Sequence, residues 1–181
     1  MGGGEVMRVK IKRLHLDAVQ PHKTHKSDFC YDVVATSCEE IAPNVYKYGI
    51  GLAFQIDRES SLHIPSLVRM GTNKDNISEE YILAQSVLLE KFNCQLSIDF
   101  RPRSSVWKTG LVLSNCTGTI DEDYRGEVSA VFYKVAPGEI YKSGDRIGQI
   151  KLGFTLPMEF INTDTLSETE RNTGGYGSTG K

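Results

Sequence analysis

The sequence lacks several features that would place it in a large class of proteins. No apolar run reaches the roughly 20 residues needed to cross a bilayer, and the start, MGGGEVM, has no apolar secretory core. The four cysteines form no CxxC pair, which excludes zinc-ribbon spacing. Lysine and arginine total 21 against 23 acidic residues, so the basic excess of a general nucleic-acid-binding surface is missing. We expect a cytoplasmic protein with reduced cysteines that binds neither membranes nor nucleic acid.

The remaining composition is that of an ordinary globular domain. The chain has 181 residues, of which 39% are hydrophobic and 24% charged. A chain of this length buries roughly 70% of the surface that its unfolded form would expose. It therefore needs no metal or disulfide bond to fold, and we expect a single domain over residues 1–171. The glycine-rich segment 172–181 is expected to be flexible.

Short β-prone segments account for most of this domain. Turn signals rich in glycine and proline separate them. The predicted strands lie within residues 7–16, 29–36, 46–56, 95–100, 110–113, 128–133 and 146–152. Strands of this length and spacing predict an all-β sandwich or barrel.

Residues 57–93 interrupt this pattern. The spacing of apolar residues over 76–92, NISEEYILAQSVLLEKF, is that of one face of a helix. Asn76 followed by Glu79 resembles a capping box at its start. The segment is predicted to be a helical insertion in the β domain.

Two segments in the middle of the chain carry candidate chemistry. Residues 101–105, RPRSS, follow a predicted strand and combine two arginines with two hydroxyls, a set that suits a phosphate. Residues 115–127, NCTGTIDEDYRGE, place three carboxylates beside a tyrosine, where a carboxylate can activate a water. A solvated loop and an acidic hairpin turn are the respective alternatives, and the residues alone leave them open.

Two later segments are weaker signals. Residues 144–149, GDRIGQ, are typical of a turn that enters a strand. The tail combines Arg171 with glycine pairs and hydroxyls, which can wrap phosphates through backbone N–H groups but also suit a disordered terminus.

In order and wording these segments resemble the five motifs of the homotrimeric dUTP diphosphatases (dUTPases). The resembling stretches are FCYDVVA (29–35), RPRSS (101–105), GTIDEDYRGE (118–127), GDRIGQI (144–150) and RNTGGYGSTG (171–180). The resemblance covers residues 7–56 and 94–181 but not 57–93. It implies a distorted jelly-roll or β-barrel of the β-clip type, with the insertion on the outside, assembled as a homotrimer with shared active sites.

The implied activity is hydrolysis of dUTP to dUMP and pyrophosphate, which limits uracil in DNA and supplies dUMP for dTTP synthesis. Asp121 matches the catalytic aspartate that activates a water against the α-phosphorus. Tyr124 matches the tyrosine under the deoxyribose and Asn115 the asparagine at the uracil edge. Backbone groups of the same hairpin, at Gly118, Thr119 and Ile120, are implied to complete the reading of the base.

The other motifs imply contacts to the triphosphate and to Mg²⁺. Arg103, Ser104 and Ser105 match the second motif, and Gln149 the fourth. Asp32 and Gln149 are implied to act on Mg²⁺ only through its waters, because phosphates and water hold most of this ion's coordination shell. The tail is implied to be a lid from a neighbouring subunit; its implied substrate-binding residues are Arg171, Gly175, Tyr176, Gly177, Ser178 and Thr179.

The chain departs from the family pattern in two of the motifs. Phe29 and Cys30 replace a small Ala-Gly pair in the first motif, and Tyr176 replaces the commoner phenylalanine of the fifth. Two alternatives stay open beside the dUTPase interpretation. One is a dCTP deaminase or bifunctional deaminase–diphosphatase of the same fold. The other is a phage-type regulatory protein that uses the nucleotide pocket as a switch.

Overall fold

The computed structural model describes residues 7–58 and 94–173, in which most regular structure is β. The ten strands are β1 (Arg8–Arg13), β2 (Tyr31–Val34), β3 (Glu39–Ala42), β4 (Val45–Gly49), β5 (Leu52–Asp57), β6 (Gln95–Pro102), β7 (Leu111–Leu113), β8 (Gly118–Asp121), β9 (Ser129–Lys134) and β10 (Arg146–Thr155). A 3₁₀ helix, Ser104–Thr109, follows β6. Within the described ranges, no helix has the length and hydropathy of a membrane span.

The strands form three antiparallel sheets. One has the order β2-β10-β6-β8, the second β3-β4-β9-β7, and the third consists of β1 and β5. The first sheet brings the candidate site residues together, because its strands carry or adjoin four motifs that are far apart in sequence. The first motif lies on β2, the second at the end of β6, the third on β8 and the fourth on β10.

One hydrophobic core joins the two four-stranded sheets. Phe100 of β6 packs edge-to-face on Phe132 of β9, with ring centroids 6.3 Å apart, and Phe132 also contacts Tyr48 of β4 and Tyr141. Phe132 and Tyr48 have no exposed surface. Burying an aromatic side chain of this size stabilises a fold by roughly 1.5–3 kcal/mol, so these rings hold the two sheets together.

The predicted all-β fold is confirmed, with differences in detail. The segment predicted as one strand over 46–56 is two, β4 and β5, because Gly51 adopts a left-handed φ of +66° and breaks the ladder. The strands β3 and β8 were not predicted. All four residues of β3 are exposed, so its sequence shows no apolar alternation. The four residues of β8 lie within the acidic segment 115–127, whose pattern is also typical of a turn. The helix predicted over 76–92 lies outside the described residues.

Candidate active site

A polar pocket of about 320 Å³ opens where the first, second and fourth motifs meet. Its walls include four of the residues that the sequence assigned to the triphosphate or the metal waters, namely Asp32, Arg103, Ser104 and Gln149. Its other lining residues, which the sequence analysis did not assign to the site, are Thr24, His25, Asp28 and Arg146. This cluster of residues is called the phosphate pocket below.

Strand pairing explains why these residues converge. Gln149 of β10 pairs in register with Asp32 of β2 on one side and with Arg101 of β6 on the other. The Gln149 side-chain amide also donates to the Pro102 carbonyl, 3.2 Å away. The chain turns directly after Pro102 into the 3₁₀ helix, which places Arg103 and Ser104 at the pocket.

Asp32 holds two arginines at the phosphate pocket. Its Oδ1 lies 3.4 Å from Arg103 Nε, and its Oδ2 accepts a hydrogen bond of 2.9 Å from Arg146 Nη1. Arg146 also donates to Thr24 Oγ1 at 3.2 Å. Since the Asp32 side chain is only 15% exposed, its charge is well placed to orient both guanidinium groups before an anion arrives.

A second pocket, of about 240 Å³, is formed largely by uncharged groups and is called the neutral pocket below. Its lining residues are Phe100, Leu113, Ser114, Asn115, Gly118, Ser129, Ala130 and Val131. Asn115 offers an amide with both donor and acceptor capacity. A methyl group added at Gly118 would lie 3.4 Å from the Phe100 Cβ and 3.7 Å from the Asn115 amide nitrogen, so the glycine keeps this space open.

The three carboxylates of the acidic segment have different surroundings. Glu122 is half-buried and forms a two-oxygen ion pair with Arg58. The hydrogen bonds from Arg58 lower the pKa of the Glu122 carboxyl, and the same bonds raise the pKa of Arg58. Asp121 and Asp123 are exposed, and among the described residues no ion pair engages either of them.

The remaining predicted residues are less tightly grouped. Tyr124 is 46% exposed, and its hydroxyl donates to the Glu127 carbonyl at 3.0 Å. Thr119 is exposed, whereas Ile120 packs against the core. Within the described part of the chain, the walls of the two pockets do not include Asp121 or Tyr124.

The structure describes only the first three residues, 171–173, of the predicted lid motif 171–180. Arg171 is described and exposed, while the predicted contacts at Gly175, Tyr176, Gly177, Ser178 and Thr179 lie outside the described residues. Ser105 lies in the 3₁₀ helix and does not line the phosphate pocket.

A signal for one of the missed residues was present in the sequence. Arg146 belongs to the GDRIGQ segment, where an arginine two residues after a turn glycine could have been assigned to an anion. Thr24, His25 and Asp28 lie in a polar loop whose pattern gives no such signal. The backbone bridge between His22 and Asp32 holds that loop beside β2, and the pairing of β2 with β10 then brings it to the pocket.

Comparison with known proteins places this geometry in context. Residues 89–180 match the sequence profile of the dUTPase family. Over 179 residues the chain is 31% identical to the deoxyuridine 5'-triphosphate nucleotidohydrolase of Nautilia profundicola, an alignment that covers 97% of this chain and all of the relative. The namesake from Finegoldia magna is 45% identical over 85 residues, or 46% of this chain. That shorter alignment spans 59% of the relative's length.

Solved structures with the same fold come from staphylococcal phages. A dUTPase of Staphylococcus bacteriophage 80alpha, in complex with dUpNHpp, superposes with a TM-score of 0.66 at 18% identity, over 96% of this chain and 99% of that chain. A dUTPase of phage phi11 of S. aureus, described with a structural Mg(II) ion, gives a TM-score of 0.57 at 17% identity over 89% of this chain and 99% of that one.

Proposed function

Because the chain belongs to the dUTPase family, we propose that it hydrolyses dUTP to dUMP and pyrophosphate. The observation that carries this proposal is the presence in one chain of two pockets of opposite character. Phe100 of β6 lines the neutral pocket, and Arg103, just past the end of β6, lines the phosphate pocket. An uncharged base and a polyanionic chain are the two ends of a nucleoside triphosphate.

The proposed mechanism gives Asp121 the role of general base. Its exposed carboxylate is free of ion pairs among the described residues, so it can accept a proton from a water that attacks the α-phosphorus. Arg103, Ser104 and Gln149 would bind the triphosphate and stabilise the charge that develops on it. Asn115 would read the base edge, where a wrong base leaves buried polar groups unpaired.

The phosphate pocket fits a magnesium ion that is held mainly by the substrate. Asp28 and Asp32 supply carboxylate oxygens and Gln149 an amide oxygen, all hard donors of the kind Mg²⁺ prefers. Since Asp32 is already paired with two arginines, we propose that it reaches the ion through water. The bound ion would supply charge neutralisation to the phosphates.

Completion of the site is proposed to require further copies of the chain. Asp121 and Tyr124 lie outside the walls of both described pockets, but they belong to the same segment, 115–127, as Asn115 and Gly118 of the neutral pocket. We propose that in a homotrimer this segment, the β8 hairpin, meets the phosphate pocket of another subunit. The C-terminal residues 172–181 would then close the site as a lid. Truncation after Arg171 should leave the number of chains per assembly, measured by light scattering, unchanged. It should remove most turnover of dUTP. Full activity of the truncated protein would refute the lid.

The activity is tested by incubating the full chain and Mg²⁺ with dUTP, dCTP, dTTP or UTP, and then measuring pyrophosphate and identifying the base. We expect pyrophosphate from dUTP alone, and its loss when EDTA removes the metal. Ammonia release from dCTP would replace the proposal with a deaminase. Tight dUTP binding without turnover would replace it with a regulatory nucleotide switch.

A further inference from the structure

Arg58 joins three parts of the chain that are distant in sequence. It directly follows β5, and its Nη2 donates to the carbonyl of Cys94, the residue before β6, at 2.9 Å. Its Nε and Nη2 also donate to the two carboxylate oxygens of Glu122, each at 2.5 Å. The residues that flank segment 59–93 are therefore tied both to each other and to the residue after β8.

Glu122 is held from more than one direction. Beyond the two bonds from Arg58, its Oε2 accepts the backbone N–H of Leu96 at 3.3 Å, and its carbonyl accepts Arg125 Nη1 at 2.6 Å. The pair is partly shielded, with the Arg58 side chain 37% and the Glu122 side chain 28% exposed. A planar guanidinium that donates to both oxygens of a carboxylate fixes the orientation of the carboxylate as well as the distance between the two groups.

The anchored residue is the immediate neighbour of Asp121. The pair Ser97 and Asp121 is the last in register between β6 and β8, so the sheet ladder stops supporting the backbone there. Asp121, the last residue of β8, is exposed, whereas Glu122, in the turn that follows, is half-buried. Fixing Glu122 on the inner side therefore fixes the direction in which the Asp121 carboxylate projects on the outer side.

We propose that Arg58 is a positioning residue for Asp121, acting through Glu122. It holds the end of β8 in place, so that the carboxylate keeps its aim at the attacking water. The inference rests on the proposed dUTP hydrolysis. It assigns a catalytic consequence to an ion pair that lies outside both pockets and outside the residues matched to substrate.

Loss of Arg58 acts in two ways. The fork that orients Glu122 disappears, which frees the peptide that follows Asp121. The Glu122 carboxylate also becomes an uncompensated negative charge beside Asp121, at a site for a polyanion. Lysine at position 58 restores the charge but not the fork, so it should repair the second effect and only part of the first.

The test compares kcat and KM for dUTP in Arg58→Ala, Arg58→Lys and the double variant Arg58→Ala/Glu122→Ala. Lys10→Ala is the matched control, because Lys10 pairs with Asp57, next to Arg58, at 3.3 Å, and among the described residues no ion pair joins Lys10 to the β8 hairpin. A displacement of the base by about 1 Å is worth on the order of 100-fold in rate, so we expect Arg58→Ala to lower kcat at least about tenfold. KM should change by less than about threefold, since the substrate contacts remain.

The other variants separate positioning from simple stability. We expect Arg58→Lys to recover part of kcat, the double variant to be no worse than Arg58→Ala, and Lys10→Ala to match the wild type. Hydrogen exchange of the amides in 118–124 should be faster in Arg58→Ala than in Lys10→Ala. Unchanged kcat in Arg58→Ala, even with a lower melting temperature, would overturn the inference and leave the pair purely structural.

Failure of the proposed function would be recognised separately. In that case the wild type itself would not release pyrophosphate from dUTP, and the catalytic role of Arg58 would fall with it. The exchange measurement does not depend on turnover. Equal exchange in Arg58→Ala and the wild type would therefore reject the anchoring of the hairpin whatever the substrate.

Discussion

Gly148, the second glycine of the GDRIGQ segment, leads to a prediction that depends on a single added methyl group. It lies on β10 between Ile147 and Gln149 and pairs with Pro102 of β6. A Cβ at this position would meet the Phe100 ring at Cζ and at Cε2, the latter at 2.5 Å, and the Arg101 carbonyl at 2.9 Å. Gly148→Ala therefore forces two neighbours to move.

The size of the effect follows from how little room those neighbours have. Carbon atoms pack best at about 3.5–4.0 Å, so the ring must retreat by roughly 1 Å or more. Phe100 is 2% exposed and rests on Phe132, which has no exposed surface. Overpacking of this kind costs about 1–3 kcal/mol, and we expect the upper end. For a chain of this size, 3 kcal/mol lowers the melting temperature by roughly 6–12 °C.

The assay is thermal unfolding at one protein concentration, because an oligomer's melting temperature depends on concentration. Gly118→Ala is the matched control: its methyl would sit 3.4 Å from the Phe100 Cβ, an ordinary contact, so the melting temperature should hold while dUTP affinity falls. Adding Phe100→Leu to Gly148→Ala removes Cε2 and Cζ and should recover part of the loss. A melting temperature of Gly148→Ala equal to that of the wild type would refute the steric argument.

Three further predictions concern charged groups of the site. Asp121→Asn should retain dUTP binding and lower turnover by about 10²–10⁴-fold. Asp123→Asn, which changes an exposed neighbour, should keep full turnover. Equal losses of turnover in the two variants would reject Asp121 as the base. Arg103→Lys should raise the Kd of a non-hydrolysable dUTP analogue about tenfold because lysine lacks the planar fork. Arg101→Lys, outside the phosphate pocket, should leave that Kd unchanged. Calorimetric titration measures both values, and equal values in the two variants would contradict the role of Arg103. Because Arg58 lowers the pKa of Glu122 below its ordinary 4.5, the stability that the pair contributes is complete above pH 4.5 and is lost as the pH falls through the folded-state pKa. The difference in free energy of unfolding between wild type and Arg58→Ala, measured with urea, should therefore narrow below pH 4.5. A difference that stays constant as the pH falls below 4.5 would show that the Arg58–Glu122 ion pair does not contribute to stability.

Much of the β fold follows from local pattern. Alternation of apolar and polar residues marks β1, because a strand that faces a core on one side repeats every two residues. A compact apolar run marks β9. The edge strand β3 has no buried face, and its local pattern therefore gave no signal. The split between β4 and β5 depends on Gly51, whose positive φ no pattern of hydrophobicity reveals.

The candidate site, like the fold, could be predicted only in part from the sequence. The wording of the motifs pointed to Asp32, Arg103, Ser104 and Gln149, and the structure places all four around one pocket. Those side chains come from distant segments, and only the order β2-β10-β6-β8 makes them neighbours. Arg146 lies at the site because it donates to Asp32, and Thr24 because it accepts a hydrogen bond from Arg146. Both are contacts between segments far apart in the chain.

The sequence by itself determined the chemistry that is available: which segments carry carboxylates, guanidinium groups and amides, and in which order. It did not decide what each group does, because a side chain's role depends on what it touches. The segment with three adjacent carboxylates shows this most clearly. Only the resemblance of the motif singles out Asp121 among Asp121, Glu122 and Asp123. The tertiary structure adds a physical difference, because it pairs Glu122 with Arg58 from the end of another strand and leaves Asp121 exposed. That partner is 64 residues away along the chain, so only the folded packing could show that Glu122 is held in an ion pair while its neighbour, the proposed base, stays exposed.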